Sequence, residues 1–254
     1  MITIISPAKK LKEIGFPKQS KKTMPPFIKE AEELIMELRK YSPSELQTLM
    51  NISNNIAEMN YERFLRWTAD STSEKAGPAI FMFNGQVYNG LDPDTLEQQS
   101  LEFGQNHLRI LSGLYGILRP FDHIQPYRLE MGTKLQNEHG NSLYKFWGKK
   151  INQKINKELQ QASDQVLINL ASQEYFKAIQ PKSIDGTIIT PLFKEKKGDD
   201  YKTIAVYAKT ARGLMTRFIL EQETNDPEVI KTFDKKGYLY NPDLSTENEW
   251  VFTR

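Results

Sequence analysis

Hydrophobic positions along this chain alternate between short apolar runs and helical stripes from one end to the other. Residues 2–5, ITII, form a β-branched run closed by Ser6-Pro7, the pattern of a buried strand. Residues 8–24 lose periodicity and are rich in lysine, which reads as an exposed loop that could border a ligand or simply connect. A stripe returns after Pro25-Pro26: Phe27, Ala31, Leu34, Ile35 and Leu38 recur at three and four residues, predicting a helix to about Lys40. Ser42, Pro43 and Glu45 stand at the N-cap, N1 and N3 positions of a second helix, and a third covers 55–67. After Gly77-Pro78, residues 79–83 read as a short strand. Asn84-Gly85 reads as a turn into Val87-Tyr88, with further turns at Asn89-Gly90 and Asp92-Pro93. Helical pattern resumes over 94–114.

The later chain continues the alternation. Residues 143–159 form a helix with Trp147, Ile151 and Ile155 on one side; 166–170 is a buried strand; 173–179 is a short helix. Segments 187–193 and 202–207 flank a charged turn at 196–200 and predict a β-hairpin. An amphipathic helix follows over 208–221, then a short helix at 227–233 and terminal strands at 237–240 and 249–252. Strands scattered from end to end, with no repeat and no linker, predict one interwoven α/β (mixed α+β) domain over 1–254, a mixed sheet surrounded by helices.

Composition narrows the function classes. The 254 residues carry a net charge of only +2, so any case for nucleic acid must come from how the charges are distributed. There are no cysteines, which excludes disulfides, thiolate metal sites and cysteine nucleophiles. The N-terminus runs apolar then basic, the reverse of a signal peptide, and no segment approaches the ~20 apolar residues that span a bilayer. A soluble cytoplasmic protein is expected, without a membrane partner or an obligate protein partner. His107 and His123 lack metal-ligand spacing, so no metal and no cofactor is expected. Phosphate-loop, dinucleotide, zincin and serine-hydrolase signatures are absent.

Three stretches could carry chemistry. In LQTLMNISNNIAEMN (46–60), Leu46, Leu49, Ile52 and Ala57 occupy the apolar positions of a helix-hairpin-helix pattern, with Asn51 and Ser53 where glycines usually stand. Such a hairpin offers backbone N–H groups to phosphate; an ordinary helical hairpin gives the same apolar pattern. On a helix over 208–221, Lys209, Arg212 and Arg217 oppose Ala211, Leu214, Met215 and Phe218, which suits phosphate contacts or a solvated basic face. Gly213 would let another backbone or a ligand come close. The stretch 108–132 gathers Arg109, Arg119 and Arg128 with Tyr115, Asp122, His123, Tyr127 and Glu130. Arg119, ahead of Pro120, is pushed out of helix, and Arg128 and Glu130 share one side of an extended segment. That group could bind an anion, do acid–base work, or pair off as an ion network.

Six segments taken together, ISPAKKL (5–11), FNGQVYNGL (83–91), LRILSGLYGILRPFDHIQPYRLEMG (108–132), LYKFWG (143–148), INLASQEYFK (168–177) and YAKTARGLMTRF (207–218), closely resemble the bacterial YaaA family of peroxide stress proteins. The resemblance extends from the first strand to Phe252. It implies a single-domain α/β fold of unusual topology, the cantaloupe fold, with a positively charged cleft and a helix-hairpin-helix element at about 44–67. It implies binding to duplex and to branched or bubbled DNA, and a cytosolic role in surviving hydrogen peroxide by limiting free iron and DNA damage. It assigns no enzymatic activity. On this basis the DNA-binding hairpin comprises Leu49, Asn51, Ile52, Ser53, Asn54, Asn55 and Ala57. Charge alone nominates Lys9, Lys10, Arg109, Arg119, Arg128, Lys209, Arg212 and Arg217 as cleft residues. The alternative is an enzyme acting on a phosphate-bearing small molecule or nucleic acid in a cleft lined by 108–132.

Overall fold

Strand β1 (Ile2–Ile5) is buried at every residue and paired along both edges, parallel to one strand on each side. The rest of the fold is laid out around it. The computed structural model describes residues 1–13, 21–70, 75–162 and 164–254; residues 14–20 of the basic loop lie outside these. In chain order the elements are β2 (Lys10–Leu11), α1 (Ile28–Leu38), α2 (Pro43–Met50), α3 (Asn54–Arg66), β3 (Gly77–Pro78), α4 (Ala79–Met82), β4 (Phe83–Asn84), α5 (Gln86–Leu91) and α6 (Gln98–His107). These lead into β5 (Leu108–Ser112), β6 (Gly116–Leu118), β7 (His123–Ile124), α7 (Leu143–Trp147), α8 (Lys150–Leu159), β8 (Val166–Leu170) and α9 (Gln173–Phe176). The chain ends with β9 (Thr187–Lys197), β10 (Asp200–Lys202), α10 (Ala205–Gln222), β11 (Leu239–Tyr240) and β12 (Glu249–Thr253).

The principal sheet has eight strands in the order β11-β12-β9-β8-β1-β5-β6, with β10 hydrogen-bonded to β9. Its centre, β12-β9-β8-β1-β5, is parallel, and the outer pairs β11-β12, β5-β6 and β10-β9 are antiparallel. This is the mixed α/β architecture expected, and the sheet draws on the chain from Ile2 to Thr253. β5 and β8 are buried at every position, as a parallel sheet covered on both faces requires.

Five expectations need correction. The strand expected over 79–83 is absent but for Phe83, which opens β4: Ala79–Met82 makes one helical turn whose first N–H groups bond to the carbonyls of Asp122 and Pro120. A fully buried apolar run has no period, so its pattern does not separate helix from strand. Val87-Tyr88 and Asn89-Gly90 are not a strand and a turn but lie inside α5. Gly90 is there because α10 crosses it. A Cβ on Gly90 would stand 2.2 Å from the Thr210 carbonyl oxygen, and one on Gly213 would stand 1.8 Å from the Val87 carbonyl oxygen. The helix expected over 94–114 stops at His107, and Leu108–Ser112 is strand. The helix expected over 143–159 is broken at Gly148, which holds a φ of +47° between α7 and α8. The hairpin around 196–200 is present, but its second arm is only Asp200–Lys202, and Ala205 already opens α10.

Candidate functional site

A serine stands at or just past the carboxyl end of each of the three central parallel strands. Ser112 closes β5, Ser6 follows β1 directly, and Ser172 lies two residues past β8. From β1 the chain next enters the sheet at β5 on one side, whereas from β8 it goes to β9 on the other. The carboxyl ends of β1 and β8 therefore flank the point where the winding reverses, the place where open α/β sheets form a crevice. The Ser172 N–H donates to Ser6 Oγ at 2.8 Å, and the two hydroxyls lie 3.3 Å apart.

Tyrosines close around this row. Tyr88, from α5, donates its hydroxyl to the Ser6 carbonyl at 3.2 Å. Tyr127 and Ser112 share a hydroxyl hydrogen bond of 2.6 Å. Burial pushes the Tyr88, Tyr127 and Tyr175 phenols up; Tyr127 raises Tyr88 and Tyr175 further, and Tyr115 raises Tyr127. They stay protonated near neutrality and act as neutral hydrogen-bonding groups.

Charge enters from two loops. The segment after β1 is tied down where Lys10 and Leu11 pair with Asn84 and Phe83. Lys9, on that segment, reaches the Glu130 carboxylate with Nζ–Oε2 at 2.6 Å. Arg128 reaches the other oxygen of Glu130 with Nη2–Oε1 at 3.0 Å. Arg128 and Glu130 do point the same way, as the extended segment suggested. Arg128 Nε is buried and has no hydrogen-bond partner. Lys9, Arg128 and Glu130 line a small cavity with Pro7, Tyr127 and Tyr175.

The other basic residues divide sharply. Arg109 is not a cleft residue: it is buried, its Nε meets Glu158 at 2.7 Å, and its remaining nitrogens bond to the carbonyls of Gln105, Asn106 and Leu108. Arg119 holds its own turn together. Asp122, fully buried, accepts from the Arg119 backbone at 2.8 Å and from its guanidinium at 2.9 and 3.2 Å, while Thr23 Oγ1 donates to the same carboxylate at 2.6 Å. Arg217 pairs with Glu221 at 2.7 Å and bonds to the carbonyls of Leu91, Asp92 and Thr95 at the end of α5. Lys10, Lys209 and Arg212 form no ion pair among the described residues. Burial alone lowers Arg212 from the usual guanidinium range, with no carboxylate to offset it.

The hairpin between α2 and α3 is Asn51-Ile52-Ser53. Asn51 takes the left-handed conformation, φ 50° and ψ 58°, which Asn tolerates without glycine. Ser53 is extended at φ −70°, so no glycine is needed there, and its side chain caps nothing. Leu46 and Ala57 are buried, Leu49 and Ile52 half-buried, and Asn51, Ser53, Asn54 and Asn55 exposed. The two helices carry Glu45, Glu58 and Glu62, and their cations, Arg63 and Arg66, lie in the last turn of α3, where they pair with Glu13 and Glu62. The turn Asn51-Ile52-Ser53 and the start of α3 offer backbone N–H groups to an anion, but no cation beside them in sequence. His107 and His123 are held neutral by burial, against the carbonyls of Met1 and Phe121. Among the described residues no group of His, Asp and Glu gathers in a metal-binding arrangement, and no helix is long and apolar enough to cross a membrane.

Ser6, Tyr88, Ser172 and Tyr175 were not among the residues that charge and pattern nominated. For the two serines the signal is positional, a small hydroxyl placed just past a fully buried parallel strand; Tyr88 and Tyr175, on α5 and α9, carry no such signal. Comparison with known proteins agrees with the six segments. A family model for peroxide stress protein YaaA matches residues 1–244. The chain is 47% identical, over all of its length and 99% of the relative, to a UPF0246 protein of Ralstonia nicotianae. It is 47% identical, over its whole length and 98% of the relative, to one of Neisseria meningitidis serogroup B. With a UPF0246 protein of Colwellia psychrerythraea the identity is 48%, covering 100% of this chain and 99% of that one. The chain belongs to the YaaA family of peroxide stress proteins.

Proposed function

We propose that this peroxide stress protein binds duplex and branched or bubbled DNA through the phosphate backbone, with little sequence preference, and so limits iron-dependent oxidative damage to it. Arg212 carries the reading. It is a partly desolvated guanidinium with no carboxylate partner, one helical turn from the exposed and equally unpaired Lys209. A cation held out of water without a counter-charge is stabilised by an incoming anion, and a phosphate diester supplies one at every nucleotide. The N–H groups at the start of α3 are further, uncharged phosphate donors in this reading. Base edges are not needed for such contacts, so binding is insensitive to sequence and sensitive to salt.

Fluorescence anisotropy with duplex and bubbled oligonucleotides tests this. The double reversal Lys209→Glu/Arg212→Glu should weaken both at least ~10-fold at low salt and flatten the slope of log K against log salt by about 2. Affinity and slope equal to wild type would end the reading.

A second reading, action on a phosphate-bearing small molecule in the cleft lined by 108–132, is favoured by one observation. Arg128, from that stretch, keeps a buried Nε–H without an acceptor and lines a cavity with Tyr127 and Tyr175.

A further inference from the structure

The guanidinium of Arg128 has an edge, formed by Nε and Nη2, that accepts two oxygens of one anion side by side. Here only half of that edge is used. Nη2 bonds to one oxygen of Glu130 at 3.0 Å, and the buried Nε has nothing. The other Glu130 oxygen is 2.6 Å from Lys9. Glu130 therefore lies between two cations as an anionic ligand would, yet only two residues along the backbone from Arg128 it engages the fork through one oxygen. Lys9 is 63% exposed at its side chain, whereas those of Arg128 and Glu130 are 17% and 24% exposed, so the group can be approached from the Lys9 side. With Glu130 in place the remaining cavity is about 10 Å³, too little for a ligand.

We propose that Lys9 and Arg128 form a clamp for a phosphate monoester, and that the Glu130 carboxylate is its internal stand-in, displaced when the ligand binds. This rests on the small-molecule reading of the cleft. A monoester fits better than a diester within a continuous strand. The fork is recessed, so the group must enter end-on, and a terminal phosphate has three free oxygens. Two meet Nε and Nη2 of Arg128, and the third meets Lys9. The protonated phenols of Tyr127 and Tyr175 border the same cavity and suit the hydroxyl-bearing sugar next to such a phosphate. Displacement of Glu130 also sets a threshold. The ligand must outcompete a carboxylate tethered at the site, so resting occupancy is low and rises when ligand concentration rises.

Two sources offer this chemistry, a free nucleotide and the 5′-phosphorylated end of a broken DNA strand. Calorimetry at low salt would use deoxyadenosine 5′-monophosphate, inorganic phosphate, and a short oligonucleotide with either a 5′-phosphate or a 5′-hydroxyl. Glu130→Gln keeps the size of the side chain and removes its charge. It should bind the monophosphate at least tenfold more tightly than wild type. Adding Lys9→Met, at an exposed position that leaves folding intact, should cancel most of that gain, and Arg128→Gln should cancel all of it. Tighter binding of the 5′-phosphorylated oligonucleotide, but not the 5′-hydroxyl one, assigns the site to strand ends; a gain confined to the mononucleotide assigns it to free nucleotides. Equal affinity of wild type and Glu130→Gln overturns the stand-in while leaving a phosphate-binding cleft. No monoester binding by any variant overturns the cleft reading as well.

Discussion

At the amino edge of the central strands, Arg109 is buried with every nitrogen bonded, and His107 stacks on Phe103 with centroids 4.1 Å apart while bonded to the Met1 carbonyl. At the carboxyl edge, Arg128 keeps an unpaired Nε, a shared carboxylate and an opening toward Lys9. Both arginines belong to the same stretch of 25 residues, and residue type does not separate them. Their position on the sheet does. A side chain at the start of a parallel strand packs among helix ends that need hydrogen-bond partners, and it is absorbed by them. One beyond the carboxyl end meets loops that diverge, and the polar groups there are left with capacity to bind.

The largest consequence falls at the amino edge. Removing one partner of a buried ion pair leaves the other charge without compensation, at a cost of roughly 3–5 kcal/mol. Arg109→Ala does this to Glu158, whose side chain is 11% exposed and which keeps only Lys154, at 3.2 Å. Urea denaturation should show a loss near the lower end of that range. The folded fraction should bind DNA as wild type does. A change under ~1 kcal/mol, or a selective loss of DNA binding, would erase the distinction between the two edges.

Alkali addresses the opposite edge. Tyr115 accepts hydrogen bonds from Trp67 Nε1 and the Gln125 backbone, and burial outweighs these to push its phenol up to about 12. Tyr88, Tyr127 and Tyr175 are raised as well, also by burial. A phenol with a folded value above its unfolded value of 10.0 contributes stability that is whole below pH 10 and lost as pH rises through the folded value. For Tyr115 alone the loss amounts to roughly 2 kcal/mol by pH 12. The urea midpoint should therefore hold from pH 8 to about 9.5 and fall steeply above. Absorbance of tyrosinate should show exposed phenols ionising first and a late group ionising only with unfolding. A midpoint flat to pH 11.5 would mean that these hydroxyls are not sealed from water.

Much of this was legible in the chain because local chemistry decides it. The capping box at Ser42 and Glu45 closes as its spacing predicts, with Glu45 Oε2 accepting from the Ser42 N–H at 2.7 Å. The β-branched run of β1 and the stripe of α1 are equally direct. What was not legible depends on contacts across the fold. Leu108–Ser112 continues a helical pattern in sequence, yet becomes strand because β1 offers it a parallel edge. Gly90 looks like a turn residue, but its absence of a side chain serves the crossing with α10. For the site, the pairing of Arg128 with Glu130 could be read from alternation. Its meeting with Lys9, more than a hundred residues earlier, could not. Nor could charge distinguish Arg217, tied to the end of α5, from Arg212 one turn away.

The smallest expected change in stability gives the sharpest test of the hairpin against the carboxyl edge. Asn54 is the first residue of α3, where a helix leaves its N–H unpaired, and Ser53 before it is extended at φ −70° and ψ 157°. Proline suits that position: its ring fixes a φ the helix already uses, and an extended residue ahead of it avoids the usual clash. Asn54→Pro thus deletes one outward-facing N–H, along with the side-chain bond from Asn54 to Glu58, and should leave stability within ~0.5 kcal/mol of wild type. If the hairpin holds a phosphate through its backbone, losing one bond to a charged oxygen costs about 1.5 kcal/mol, or roughly tenfold in DNA affinity. Binding unchanged by Asn54→Pro but weakened by Lys209→Glu/Arg212→Glu would leave α10 as the DNA contact and α2–α3 as packing, consistent with helices whose cations, Arg63 and Arg66, sit at the far end of α3 and are paired with Glu13 and Glu62.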